Sequence, residues 1–215
     1  MIISLFNSKG GVGKTTTCVN LAYLTSLKYK TLLIDLDIQG ASSYFFDKKV
    51  KKRNLLNKNP SKIIKSTQYK NLDIIPADTK LENYKKGLET IINQDYEFIF
   101  IDAPANINQL TKDIMRLSNL IIVPALPNIL SLRTYNQLLS QNLNNNLKIL
   151  LNRVEKSPLH QKVIKAIAKL PKNQYFKNYI PKSNIIEAMS FDKIPAVRKS
   201  EKIKKAYMNV LREII

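Results

Sequence analysis

The chain has 215 residues, 44% of them hydrophobic, and carries 35 Lys and Arg against 16 Asp and Glu, a formal net charge of +19. That is enough apolar material for one domain with a sizeable core, and the single cysteine, Cys18, excludes an internal disulfide framework and fits a reducing cytoplasm. No apolar run approaches the roughly 20 residues of a membrane span, and the apolar N-terminal stretch lacks the basic region and cleavage site of a signal peptide.

The charge surplus needs a partner. Lysine far exceeds arginine, asparagine is abundant and glycine scarce, a coding bias that inflates lysine without removing acids. Nucleic acid or an anionic membrane surface suits such a balance. In chain order, short apolar runs at 2–6, 31–37, 72–77, 98–104, 120–125 and 147–152 predict strands. They are nearly continuous rather than alternating, as in strands buried on both faces of a parallel sheet. Helical periodicity lies between several of them, at 14–27, 80–93, 107–118 and 131–143. This order predicts an α/β fold: a doubly wound, mostly parallel sheet with helices on both faces, in one domain over 1–215. The basic, poorly periodic stretch 47–70 reads as surface helix or loop.

Between the first strand and the first helix runs SKGGVGKTT, residues 8–16. Glycines let backbone N–H groups approach phosphates, and a helix N-terminus adds partial positive charge. Gly10, Gly11, Val12, Gly13, Lys14, Thr15 and Thr16 therefore form a candidate phosphate cradle. Lys14 would reach the β- and γ-phosphates and the Thr15 hydroxyl would ligate Mg²⁺. Ser8 stands where the general pattern has its first glycine, and Lys9 is a second lysine within the loop. Asp35 and Asp37, two apart at the end of the second strand, are expected to face the same side, toward the crevice at the carboxyl end of the sheet. An aspartate in an apolar run is costly unless paired or bound to metal. FIFIDAPAN, 98–106, sets Asp102 after four apolar residues, positioned to hold Mg²⁺ through water. The only histidine, His160, is expected in a polar turn, and no Cys/His metal cluster is present in the sequence.

KGGVGKTT is the deviant form of the phosphate loop, and here the chain resembles the ParA/MinD family of P-loop ATPases. DLDIQG, 35–40, is similar to that family's switch motif, with Ile38 where relatives often carry proline. FIFIDAPAN is similar to its Walker B segment, with Ala105 in place of a second proline. ILLNRV, 149–154, places Asn152 and Arg153 where the family recognises the base. IPKSNIIEAMSFDKIPAV, 180–197, resembles the ParA signature at Pro181, Glu187, Ala188 and Pro195. The resemblance implies ATP and Mg²⁺ as ligands and an ATP-dependent homodimer in which Lys9 reaches the partner's phosphates. It further implies that Asp37 activates water, Asp35 supports the Mg²⁺ waters, Asn152 reads adenine and the segment at Pro181 covers the base.

The absence of a helix-turn-helix extension before the first strand suggests the short ParA form. That form implies plasmid or chromosome partition, with non-specific double-stranded DNA and a ParB-type centromere-binding protein as partners and a cytoplasmic, nucleoid-associated location. A MinD-like membrane-associated ATPase and a ParA-like cargo-positioning ATPase are the alternatives. Two basic clusters bear on the choice. One holds Lys48, Lys49, Lys51, Lys52 and Arg53; the other holds Lys193, Arg198, Lys199, Lys202, Lys204 and Lys205, against one acid, Glu201. Without interleaved aromatics for stacking on single strands, they suit duplex phosphates. Lys182, Arg198, Lys199 and Lys202 are the candidate DNA contacts. Ile203, Ala206, Tyr207, Val210, Leu211 and Ile214 share one face of a C-terminal helix. That face could seek a membrane or pack on the sheet, and packing is the favoured expectation.

Overall fold

The computed structural model describes residues 1–50, 60–79, 95–141 and 146–215. The predicted helix over 80–93 and three basic residues of the first cluster, Lys51, Lys52 and Arg53, lie outside the described residues, as do positions 142 and 143 of the helix predicted to end there. Seven strands form one sheet: β1 (Ile2–Leu5), β2 (Thr31–Asp35), β3 (Lys65–Ser66), β4 (Leu72–Ile75), β5 (Phe98–Asp102), β6 (Leu120–Ala125) and β7 (Leu147–Leu151). Their order is β3-β4-β2-β5-β1-β6-β7. All neighbours run parallel except β3, which pairs antiparallel with β4. This edge strand falls in the stretch read as surface helix or loop; it is two residues long and exposed, too short to show a period.

Strand parity divides the core. Ile3, Leu33, Phe100 and Ile122 point to one face, where they meet α1 (Lys14–Ser26) and the C-terminal helices α7 (Asn184–Asp192), α8 (Ala196–Lys199) and α9 (Glu201–Leu211). Ile34, Ile99 and Ile101 point to the other, against α3 (Pro60–Ile63) and α4 (Gln109–Leu117). Ile121, Val123 and Ile149 also lie on that side, beside α5 (Ile129–Leu139) and α6 (Pro158–Ile167). Successive strand residues alternate between faces, so covering both faces explains why the runs are apolar throughout.

α1 is buried almost all round, from Lys14 to Ser26, because it lies between the sheet and α9. The apolar face of α9 is spent on that contact: Ile203, Tyr207, Val210 and Leu211 are buried. The helix is therefore a packed element, as favoured, and not a free amphipathic stripe. His160 departs from the expectation of a turn. It lies in the first turn of α6, where its N–H donates to the Ser157 cap at 3.2 Å and its Nδ1 accepts the Glu155 N–H at 2.9 Å. The start of α6, Ser157 followed by Pro158, is a legible cap signal. No helix among the described residues is long and apolar enough to cross a membrane.

Candidate functional site

The loop 8–13 leaves β1 at the carboxyl edge of the sheet and opens α1. Asn7 fixes its start: Nδ2 donates to the Pro124 carbonyl at 2.8 Å and Oδ1 accepts the Lys9 N–H at 2.9 Å. Gly13 is the N-cap residue of α1, left-handed at φ 94°. A Cβ there would stand 2.6 Å from Asn152 Nδ2, so both the backbone angle and the space require glycine. No side chain caps α1, whereas Asn108, Asn128 and Ser157 cap α4, α5 and α6. The first-turn N–H groups of α1 are thus available to an anion. The two lysines of the motif separate: Lys14 is buried at 8% exposure, and Lys9 is exposed.

β2 and β5 end side by side with Asp35 opposite Asp102, and both carboxylates are buried. The short helix α2 (Ala41–Phe45) follows the DLDIQG turn and supplies their partners. Ser43 donates to Asp35 Oδ2 through its N–H and its hydroxyl, each at 2.7 Å. The Ser42 hydroxyl donates to Asp102 Oδ2 at 2.8 Å. Burial pushes the Asp35 pKa up, the neighbouring Asp102 charge adds to the rise, and the hydrogen bonds from Ser43 and Asp37 oppose it. Burial also pushes Asp102 up, against the Thr15 and Ser42 hydroxyls and the Lys14 charge. Asp102 Oδ1 is buried with no hydrogen-bond partner among the described residues. Two like charges taken out of water, with one oxygen left over beside Thr15 and Lys14, form a set of oxygen donors that is short of positive charge. Such a set fits a hard divalent cation.

Asp37 lies on a turn and not on the strand, yet its charge still adds to the rise of the Asp102 pKa. β2 stops at Asp35, so the alternation used to put both aspartates on one side does not reach Asp37. The chain turns there instead: the Asp37 N–H donates to Asp35 Oδ1 at 3.3 Å, and its own Oδ1 accepts the Gln39 N–H at 3.0 Å. Its carboxylate is half-buried at the site's rim.

Asn152 follows β7 and is buried. Its N–H donates to the Ala125 carbonyl at 2.8 Å, and its Nδ2 donates to the Val12 carbonyl at 2.9 Å and to Thr17 Oγ1 at 3.1 Å. With Gly13, Thr16, Arg153, Pro181 and Glu187 it borders a cavity of about 270 Å³ against the start of α1. The exposed Arg153 takes a left-handed φ of 56°. The fold thus gathers the phosphate loop, both buried aspartates, Asn152, Arg153 and Pro181 at one edge of the sheet.

The four lysine and arginine candidates for DNA lie elsewhere and are less free than the sequence suggested. Lys182 pairs with Glu155 at 3.2 Å, Lys199 pairs with Asp192, and Arg198 lies 5.5 Å from the centre of the Tyr69 ring. Lys193 of the same cluster pairs with Asp47. A single acid was expected against this cluster; folding brings in others from distant positions or across a helix end. Lys202 lines an open groove of about 790 Å³ together with Lys156, Lys177, Lys182 and Lys205. Sequence reading missed Asn7, Thr17, Ser42 and Ser43 altogether. The two serines come one residue after the DLDIQG turn, which is the one signal that could have pointed to them.

Residues 1–153 match the family model described as an AAA domain. The chain is 30% identical to the sporulation initiation inhibitor protein Soj of Bacillus subtilis, over 89% of this chain and 88% of that one. It is also 30% identical to a ParA family protein of Mycoplasma genitalium, over 100% and 97% of the two chains. The chain belongs to the ParA/MinD family of P-loop ATPases. Among solved structures, the septum site-determining protein MinD of Pyrococcus horikoshii, complexed with Mg-ADP, superposes with a TM-score of 0.80 at 25% identity, covering 99% of this chain and 95% of that one. The expected doubly wound, mostly parallel architecture is the one found, and this family member is an ATPase whose loop, aspartates and cavity converge on one edge of the sheet.

Proposed function

We propose that this ATPase is of the ParA type and partitions DNA, either plasmid or chromosome, as an ATP-dependent dimer on non-specific duplex. The observation that carries the nucleotide part is the buried pair Asp35 and Asp102 beside Lys14 and Thr15, with Asp102 Oδ1 unpartnered. In this reading Lys14 and the N–H groups of the loop hold the β- and γ-phosphates. The Thr15 hydroxyl, with Asp102 and Asp35 behind it, would hold Mg²⁺, which supplies charge neutralisation on the phosphoryl oxygens when bound. Asp37, at the rim and held by the turn, orients the attacking water and takes its proton. Asn152, Arg153 and Pro181 border the base.

A dimer is supported by the apolar residues that the carboxyl-edge loops leave in water. Ile38, Ile107, Ile129 and Leu130, after β2, β5 and β6, are 39–67% exposed around the phosphate loop. Closing a second copy over that edge would cover them and bring its exposed Lys9 to the first copy's phosphates, where a cation supplied in trans ties hydrolysis to association. Partition is supported by the likeness to the relatives named above, Soj and a ParA family protein. DNA binding is supported by the net charge and by the groove holding Lys182 and Lys202, with a centromere-binding protein of the ParB type as the stimulating partner. Titration of non-specific duplex against the full chain with ATP, ADP and no nucleotide tests the reading. Tight, salt-sensitive binding with ATP alone is expected; equal affinity in all three conditions, or no response to salt, overturns it.

A further inference from the structure

Two helices end against each other beside the basic C-terminal face, and each ends on a strained residue. Asp47 closes α2 at φ 55° and Lys193 closes α7 at φ 51°. Among the described residues four non-glycine residues take left-handed angles, and these two are bonded to each other. Glycine holds such a position without strain, so the backbone gains nothing from a carboxylate and an ammonium there. The side chains instead meet: Lys193 Nζ pairs with the Asp47 carboxylate and lies 4.2 Å from the centre of the Tyr44 ring. Asp47 is also a fixed part of α2. Its N–H donates to the Tyr44 carbonyl at 3.1 Å, and the Lys48 N–H donates to the Ser43 carbonyl at 2.8 Å. The other side of the same short segment holds the buried aspartates through Ser42 and Ser43. Segment 41–47 therefore has its serines on the metal-end carboxylates and its acid on the basic face. Tyr69 widens the link, with its ring 6.2 Å from the Phe46 ring and 5.5 Å from the Arg198 guanidinium.

We infer that Asp47 is an internal competitor for the basic face: an autoinhibitory contact that holds Lys193 while the nucleotide site is empty and releases it when the site fills. This rests on the nucleotide reading above and extends it to regulation. Ser42 and Ser43 supply donors to two buried carboxylates that are short of positive charge. When a cation meets that need the carboxylates re-aim, the serine contacts re-form, and α2 shifts with Asp47 attached. A small shift suffices, because the Lys193 and Asp47 side chains are 27% and 68% exposed and such a pair exchanges partners at little cost. Asp192 pairs with Lys199 in the same basic cluster but belongs to α7, which makes it the internal control.

Displacement of a fluorescent ATP analogue by Mg-ATP from the full chain, without DNA, is the first test. Asp47→Asn, which also tolerates the left-handed angle, and Lys193→Gln should each tighten binding by about twofold or more, because either removes a contact that binding must break. Lys193→Arg, which keeps the pair, should stay at the wild-type value. Charge acting at a distance would tighten one variant and weaken the other, so any result except tightening by both overturns the inference. Duplex titration of the same proteins is the second test. Asp47→Asn should raise nucleotide-free affinity by about threefold or more and ATP-bound affinity by less, whereas Asp192→Asn should raise both by one factor. An Asp47→Asn protein that behaves like Asp192→Asn overturns the inference. A wild type that binds duplex equally with and without ATP overturns the duplex reading and leaves the first test decisive for Asp47; one that does not bind Mg-ATP overturns both.

Discussion

The nucleotide edge and the basic C-terminal face are both rich in charge, and the fold treats them in opposite ways. At the edge, Asp35, Asp102 and Lys14 are buried, and the two carboxylates crowd each other. On the C-terminal face the ion pairs sit in water: the Lys182 and Glu155 side chains are 49% and 51% exposed. An exposed pair is worth about 0–1 kcal/mol, whereas a buried charge without full compensation costs several kcal/mol. One region holds unfavourable electrostatics that a cationic ligand relieves; the other holds screened charges that exchange partners at little cost. Recognition at the first should be discrete and little affected by salt, and at the second graded and salt-dependent.

The largest break should come at the edge. Asp37→Ala removes a half-buried carboxylate whose charge bears on Asp102 while leaving both buried aspartates in place, so turnover should fall by about 10²–10⁴ while ATP affinity stays within a few-fold. Phosphate release and nucleotide titration on the same protein separate the two, and equal loss of both would place Asp37 among the binding residues. A second substitution sharpens the comparison through stability. Burial raises the Asp102 pKa in the folded chain, so folding is favoured when that group is protonated. Its contribution is complete below the ordinary carboxylate value near 4 and is lost as pH rises through the raised value. Asp102→Asn should therefore stabilise the protein, free of nucleotide and Mg²⁺, by about 1–2 kcal/mol at about pH 8. That corresponds to a Tm rise of about 2–8 °C in a thermal melt. The gain should vanish at about pH 4, and Mg²⁺-dependent hydrolysis should be lost at either pH. The smallest effect belongs to the basic face. Lys202→Ala should weaken duplex binding uniformly across sequences and reduce the salt slope by about 1, with the melt unchanged.

Much of the edge was legible because its chemistry is written in contiguous motifs. A strand, three glycines and a Lys-Thr pair leave little choice of structure around Gly13 and Lys14, and the apolar run before Asp102 fixes where that carboxylate surfaces. Asp37 was harder, since strand alternation holds only as far as the strand, and β2 ends two residues short of it. Thr17, Ser42 and Ser43 gave no local sign, because a helix hydroxyl looks the same whether it faces water, its own backbone or a buried carboxylate. The basic face misled for a related reason: charge clusters along the chain do not reveal which acids arrive from elsewhere, such as Asp47 beside Lys193.

The sequence by itself determined the six parallel strands, the phosphate loop and the identity of the acids around it, because backbone sterics and burial act on neighbouring residues. Tertiary structure alone decided that Asp35 stands against Asp102, that Asn152 is pinned by Val12 and Thr17, and that the C-terminal stripe is a core face instead of a membrane anchor. Each of those depends on contacts between segments far apart in the chain, and whether such groups meet is settled only when the sheet and helices close around a common interior.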